Sequence, residues 1–372
     1  MNLFNSKFIL NNNRFGWIDY DRGISIILVT FRHCFDGLEK SGVDLNSYPI
    51  LGYLNIFLFG FRMPLFFIVS GIFISSSLKK NGLKSYANNR FKLILYPLLV
   101  WGFIQISLQI LFSSHINSEI HSIDYLYLLI NPRREGQFWY LHALFLIGII
   151  YALLKETIKL SLGYQIILGF IFYFLLILLR SFNLDLWFLM DFFQYYIFFA
   201  IGDVVSGLIK TDKTSSFLSS WTIFFILCTI FIVIQFQFTK LNILNHSDYF
   251  VEHNMPFFFL LVASVGCLFS FNISFLLKRY NIFSFLRVIG YHSVHMYCMQ
   301  IIVMSLIRFI LINYVGISNP PLLVFLILFS GVIFPIIIYN IFLRLNLWWL
   351  FSLKKPVEDI RSLTSKNRIS SL

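Results

Sequence analysis

Arg14-Phe-Gly-Trp-Ile-Asp-Tyr-Asp-Arg22-Gly-Ile-Ser-Ile-Ile-Leu-Val-Thr-Phe-Arg32-His33-Cys-Phe-Asp36-Gly-Leu38 is the stretch whose reading decides the fold. It alternates charge up to Arg22, runs apolar from Gly23 to Phe31, and closes on Arg32, His33 and Asp36. Ionisable groups in a greasy helix are costly in a bilayer and by default mark a functional site. Arg22 and His33 are eleven positions apart, about three turns, so they share a helix face with roughly 16 Å between them along the axis. One sits near a membrane surface and the other at mid-depth. Asp36 lies one turn beyond His33, within reach of its ring. A plainer reading makes Arg22 a snorkelling anchor and His33 a hydrogen-bonded packing residue.

The rest of the chain agrees with a membrane. Of 372 residues, 58% are hydrophobic and only 12% charged, about half the charge of a soluble domain. A net charge of +12 would suggest nucleic acid in a soluble protein, but here the cations sit in short segments between apolar runs, which is a topology signal. The first sixteen residues are polar and Asn-rich, without the apolar core of a cleavable leader. Cys34, Cys228, Cys267 and Cys298 all fall inside expected spans and form neither a disulfide framework nor a zinc pattern. No phosphate-cradling glycine motif of an ATPase is present.

A span needs about 20 apolar residues. Ten are expected, at 18–38, 51–78, 91–112, 138–154, 164–180, 187–209, 217–238, 256–277, 286–312 and 321–345. The chain therefore reads as an all-α polytopic membrane protein, with a segment 1–16, one transmembrane domain over 17–346 and a basic tail 347–372. Lys7, Arg14, the Lys79–Lys92 run, Lys155, Lys159, Lys210, Lys213, Lys278, Arg279, Arg287 and the basic tail fall on one side. Lys40, Arg133, Arg134, Arg180 and Lys240 fall on the other. The richer side is the cytoplasm, so both termini are expected there.

Other spans carry polar groups of their own. Phe59-Gly-Phe-Arg62-Met-Pro64-Leu-Phe-Phe-Ile-Val-Ser70-Gly71 sets an arginine and a helix-interrupting proline inside the second span. Arg62 must face a partner, an anion or water; a kinked packing helix with a snorkelling Arg is the bland alternative. The basic loop expected from Lys79 to Lys92, with Arg90 among its cations, suits anionic lipid headgroups or a phosphorylated ligand. The longest outer loop holds His115, Glu119, His121, Asp124, Arg133, Arg134 and Glu135; its histidines lack a third ligand, so no metal is expected. Trp139 fits an interfacial belt, and His142 lies just inside the membrane. His292, His295 and Tyr297 in the ninth span suggest either a cavity lining or a hydrogen-bonded knot between helices.

Together these motifs resemble the acyltransferase-3 family of integral membrane acyltransferases. The resemblance is carried by Trp17-Ile-Asp19 through Arg22 to His33, by Phe61-Arg-Met-Pro-Leu-Phe-Phe-Ile-Val-Ser-Gly71, by the basic run ending in Tyr96-Pro97, by Phe138-Trp-Tyr-Leu141, and by Ile289-Gly-Tyr-His-Ser293 with Tyr297. It covers nearly the whole chain and is close to the bacterial sugar O-acetylases, including the fucose 4-O-acetylase-like group. The chain departs from that pattern at Arg62, at Arg90-Phe-Lys92 and at Gln300. The resemblance implies transfer of an acyl group, usually acetyl, from acetyl-CoA to a hydroxyl of a surface glycan or lipid-linked sugar, in a bacterial inner membrane, with neither metal nor nucleic acid as partner. On that pattern His33 acts as general base or acyl relay, with Asp36 orienting it. Arg22, Arg90, Lys92 and Arg62 meet the CoA, while Trp139, His142, His292, His295 and Tyr297 meet the acceptor. The alternative is a polytopic glycan or lipid-linked-sugar transporter or polymerase without acyl transfer. It is disfavoured by the lack of repeated halves and of large outer loops.

Overall fold

The computed structural model describes residue 4 and residues 6–11, 16–112, 121–209 and 212–354. Arg14, His115, Glu119, Lys210, Asn12, Asn13 and the tail from residue 355 onward lie outside the described residues. Among those that are described the chain is helical, without strands. Among the described residues nine helices are long and apolar enough to cross a membrane. A further helix, α1 (Gly16–Lys40), is as long as these. Its 25 residues span about 37 Å, but its acidic and basic residues dilute its hydropathy. Nine of the ten expected spans are thus matched by such helices, and the first by a long helix of lower hydropathy.

The central helix is α1. It packs against α3 (Phe59–Gly71), α10 (Pro256–Tyr280), α11 (Phe285–Tyr291), α12 (Ser293–Asn313) and α13 (Pro320–Arg344). The contact with α11 is made possible by glycine. A Cβ on Gly23 would collide with the Leu286 carbonyl oxygen, and one on Gly290 with the Asp19 carbonyl. Small residues let helix backbones approach where lipid provides no hydrophobic drive for association. α7 (Leu162–Ser181) and α9 (Trp221–Leu244) are peripheral, with 22% of their apolar windows buried against 67% for Pro49–Gly71.

Three expected spans are shaped differently from their outlines. The second is broken at Leu58 into α2 (Pro49–Phe57) and α3, and ends at Gly71 rather than 78. Pro64 adds to the irregularity by lacking the N–H that the Gly60 carbonyl needs. The third begins earlier than residue 91. α4 (Ile74–Arg90) is kinked at Gly82, whose φ of 70° suits glycine, and continues through a π-type turn over Phe91–Leu95 into α5 (Tyr96–Leu111). The basic stretch is thus helix, not loop. The ninth is interrupted at His292, between α11 and α12. After α13 the chain folds back, and Phe351 packs on Trp101, Tyr339 and His295, so the bundle takes in residues beyond the expected boundary at 346. The remaining long helices are α6 (Phe138–Glu156) and α8 (Phe188–Leu208).

Candidate active site

The candidate site is a column along one face of α1, with a cavity at its Arg22 end and a cluster of charged side chains at its His33 end. The cavity measures ≈ 270 Å³. Arg22 lines it from α1; Phe66, Ser70 and Phe73 from α3 and the turn after it; Tyr86, Asn89 and Arg90 from α4; Tyr140 and Leu144 from α6; and Ser293 and Tyr297 from α12. Arg22 lies 5.6 Å from the centroid of Phe73. Arg90 Nε donates to the Tyr86 hydroxyl at 2.8 Å, an i,i+4 pair. The guanidinium also rests against Phe199. Gly148 of α6 lets that pair come close, since its missing Cβ would stand 3.1 Å from the Tyr86 oxygen. Two arginines, three serines, an asparagine and three tyrosines around one opening are a donor-rich mouth of the kind that binds phosphate and amide groups.

Aromatic rings floor the cavity. Tyr140 contacts Phe66 at 5.4 Å and Tyr297 at 5.3 Å between centroids. Tyr297 donates to the Gln137 carbonyl, and Gln137 Nε2 donates to Gln105 Oε1 at 2.7 Å. Beyond this floor α1 continues to Thr30, which donates to Gln300 Oε1 of α12 at 2.9 Å, and then to His33.

His33 is half-buried, and the charged groups that act on it are Arg62, Arg32 and Lys40. The expected partnership with Asp36 is not formed. Asp36 Oδ1 instead accepts from Arg32 Nε at 2.8 Å, and Arg32 Nη1 donates to Asp248. The i,i+4 arginine takes the carboxylate because a charged donor outcompetes a neutral imidazole. Arg32 and Arg62 flank the same ring, 5.7 and 4.6 Å from the centroid of Phe59. Arg62 is therefore a neighbour of His33 and not of the Arg22–Arg90 cavity, where a CoA-binding role would have put it. Lys92 belongs to the π-type turn and does not line the cavity either.

The expected acceptor-binding residues divide. Tyr297 lines the cavity. Trp139 lies near the His33 end, under Arg133 at 4.2 Å and 5.3 Å from Tyr195. Arg133 is itself fixed by Asp191 at 2.5 Å. His142 is buried against Phe188. His292 meets Asn340 of α13 at 3.2 Å, and His295 stacks on Tyr339 at 3.8 Å. The two ninth-span histidines thus form a knot between α12, α13 and the returning tail, apart from the cavity. Residues that sequence reasoning missed include Tyr86, Ser70, Tyr140, Arg32 and Asp248. Of these, Tyr86 and Arg32 carried a signal, their i,i+4 spacing to Arg90 and Asp36.

No metal-binding group of three or more His, Cys, Asp or Glu occurs among the described residues. A family model described as an acyltransferase domain matches residues 15–340. No curated protein and no solved structure matches the chain.

Proposed function

The chain belongs to the acyltransferase-3 family, and from that premise we propose that it moves an acetyl group from acetyl-CoA to a sugar hydroxyl of a surface glycan or its lipid-linked precursor. It is a multi-pass membrane acyltransferase; donor, acceptor and chemistry are our reading. The observation that carries it is the column on α1, with a cation-lined cavity at Arg22 and an imidazole three turns further along the same face.

In this reading both termini and the Arg22 end face the cytoplasm of a bacterial inner membrane, as the distribution of Lys and Arg supports. CoA is too polar to cross the bilayer. Its phosphates meet Arg22 and Arg90, and its long flexible arm enters between Ser70, Asn89 and Ser293, carrying the thioester past Phe66, Tyr140 and Tyr297 toward His33. The acceptor arrives from the His33 end. Imidazole is suited to take a proton from a hydroxyl near neutral pH. The sugar oxygen attacks the thioester carbonyl, the carbon–sulfur bond breaks, and His33 returns the proton to the departing thiolate. A variant route places the acetyl group on the His33 nitrogen first, releases CoA, and passes it on in a second step. Arg32, locked by Asp36 and Asp248, fixes the charged cluster in either route.

The test is mass spectrometry of surface glycans from a wild-type strain, a deletion strain and a strain expressing His33→Ala at equal level. The expected result is an acetyl group absent from the last two. Glycans that keep their acetyl groups but are shortened or missing in the deletion would instead move a transporter or polymerase to first place. Acetyl–histidine found on the protein after acetyl-CoA alone would select the two-step route.

A further inference from the structure

Arg62 is the buried charge that this chemistry leaves unused. It sits four residues into α3, is 3% exposed, and its Nη1 is buried without a hydrogen-bond partner. Among the described residues no carboxylate lies within ion-pair distance of it, whereas Arg32 beside it holds two, Asp36 and Asp248. Its contact is the Phe59 ring, 4.6 Å away. A ring face supplies no hydrogen-bond acceptor for that Nη1. Arg62 also comes first among the charged groups acting on His33.

A buried cation without a counter-charge is strongly destabilising, because desolvation is not repaid. The neighbouring cation, Arg32, makes matters worse by repulsion, and the carboxylate that opposes it, Asp36, is already bonded to Arg32. Two arginines and two carboxylates balance in number, but Arg32 holds both carboxylates directly, which leaves the Arg62 guanidinium beside the imidazole without a direct partner for its Nη1. Unlike the single oxygen of a transient oxyanion, a planar fork of donors matches a carboxylate or phosphate, which can accept two parallel bonds. We propose that Arg62 is the anion-recognition residue of the acceptor site, and that the acceptor carries a carboxylate or phosphate group close to the hydroxyl that is acylated. This rests on the acyl-transfer reading above and names the class of acceptor it takes.

The experiment uses the full chain in lipid nanodiscs with acetyl-CoA and three probe acceptors: methyl glucoside, methyl glucuronoside and glucose 6-phosphate. The readout is the ratio of kcat/KM for each charged probe to that for the neutral one. Wild type is expected to favour at least one charged probe, and the favoured probe separates carboxylate from phosphate as the source of the anion. Arg62→Gln should lower that ratio roughly 10- to 100-fold, the worth of a charge-assisted hydrogen-bond pair, and Arg62→Lys, which keeps charge but not the fork, should fall between. A ratio near one in wild type, or a ratio that survives Arg62→Gln while all rates fall together, overturns the proposal. In the second case Arg62 serves the acyl step itself. Should no probe be acylated, thermal melting with sodium glucuronate and sodium phosphate at fixed ionic strength decides. Stabilisation of wild type that is lost in Arg62→Gln supports the site, and equal shifts overturn it. Acetyl-CoA hydrolysis without acceptor, compared between wild type and His33→Ala, tests the acyl-transfer reading separately.

Discussion

The two ends of α1 carry the same kinds of side chain in opposite settings. At the Arg22 end, the arginines border a cavity, and hydroxyls, an amide and aromatic faces surround them. At the His33 end, Arg32 is closed into a triad with Asp36 and Asp248, and Arg62 is packed on Phe59. The first arrangement suits a large, mobile, polyanionic ligand that arrives and leaves. The second suits a fixed cluster beside which a few atoms must be held still. The difference shows that arginine count says little about a membrane site, whereas what each arginine already holds says a great deal.

Removing His33 should break the comparison most severely. His33→Ala is expected to lower acyl transfer by 10²- to 10⁴-fold, the usual worth of a positioned base, and far more than it weakens acetyl-CoA binding in a calorimetric titration. Arg22→Ala should do the reverse, raising the Kd for acetyl-CoA roughly 10- to 100-fold, with Arg22→Lys milder. If both variants changed binding equally, the two ends would not be distinct sites. Gly290→Leu should lower the melting temperature and the yield of folded protein, because its side chain would enter the Asp19 backbone; an overpacked contact costs about 1–3 kcal/mol. Gly207→Leu, at a position with open space around it, is the control expected to melt like wild type. Asp248→Asn should leave Arg32 half-compensated and cost about 1 kcal/mol, since both partners are partly exposed.

The smallest effect concerns Glu135, in the loop before α6. Burial and the nearby Asp124 carboxylate push it up to about 7. A carboxyl that binds its proton more tightly when folded gives stability that is present below about pH 4.5 and is lost as pH rises toward 7. Glu135→Gln should flatten that part of the stability profile in a pH series of thermal melts; an unchanged slope would remove Glu135 as its source.

Much of this was legible in the sequence. Nine of the ten expected spans followed from run lengths, and the shared face of Arg22 and His33 followed from a spacing of eleven in a helix that proved continuous. Local punctuation was harder. The break at His292 has no proline to announce it, and the Lys79–Lys92 stretch looked like loop because its residues are polar, although it is largely helical about the Gly82 turn. The Asp36–His33 pairing failed for a reason the sequence did contain, the better-placed Arg32 at i,i+4. Its second carboxylate, Asp248, lies 216 residues away, and no periodicity reports a contact of that separation. His292 and His295 were placed on a helix correctly but between two readings. Only the packing of Tyr339, Asn340 and Phe351 against them favours the knot.

The polarity of α1 has a consequence for how the protein is made. It precedes the nine candidate spans of the described residues, yet is itself not apolar enough to be recognised by hydropathy. The groups that satisfy it come much later in synthesis. Ser270 and Ser274 donate to Asp21, Asp248 accepts from Arg32, and the Gly23 face has no counterpart until Gly290. Charged side chains held in lipid without partners are unfavourable, so the leading helix must linger at the insertion machinery or the membrane surface until two thirds of the polypeptide has followed it. Its assembly is then a late step in biogenesis, and truncation after α9 should leave the first helix poorly integrated while the others remain inserted.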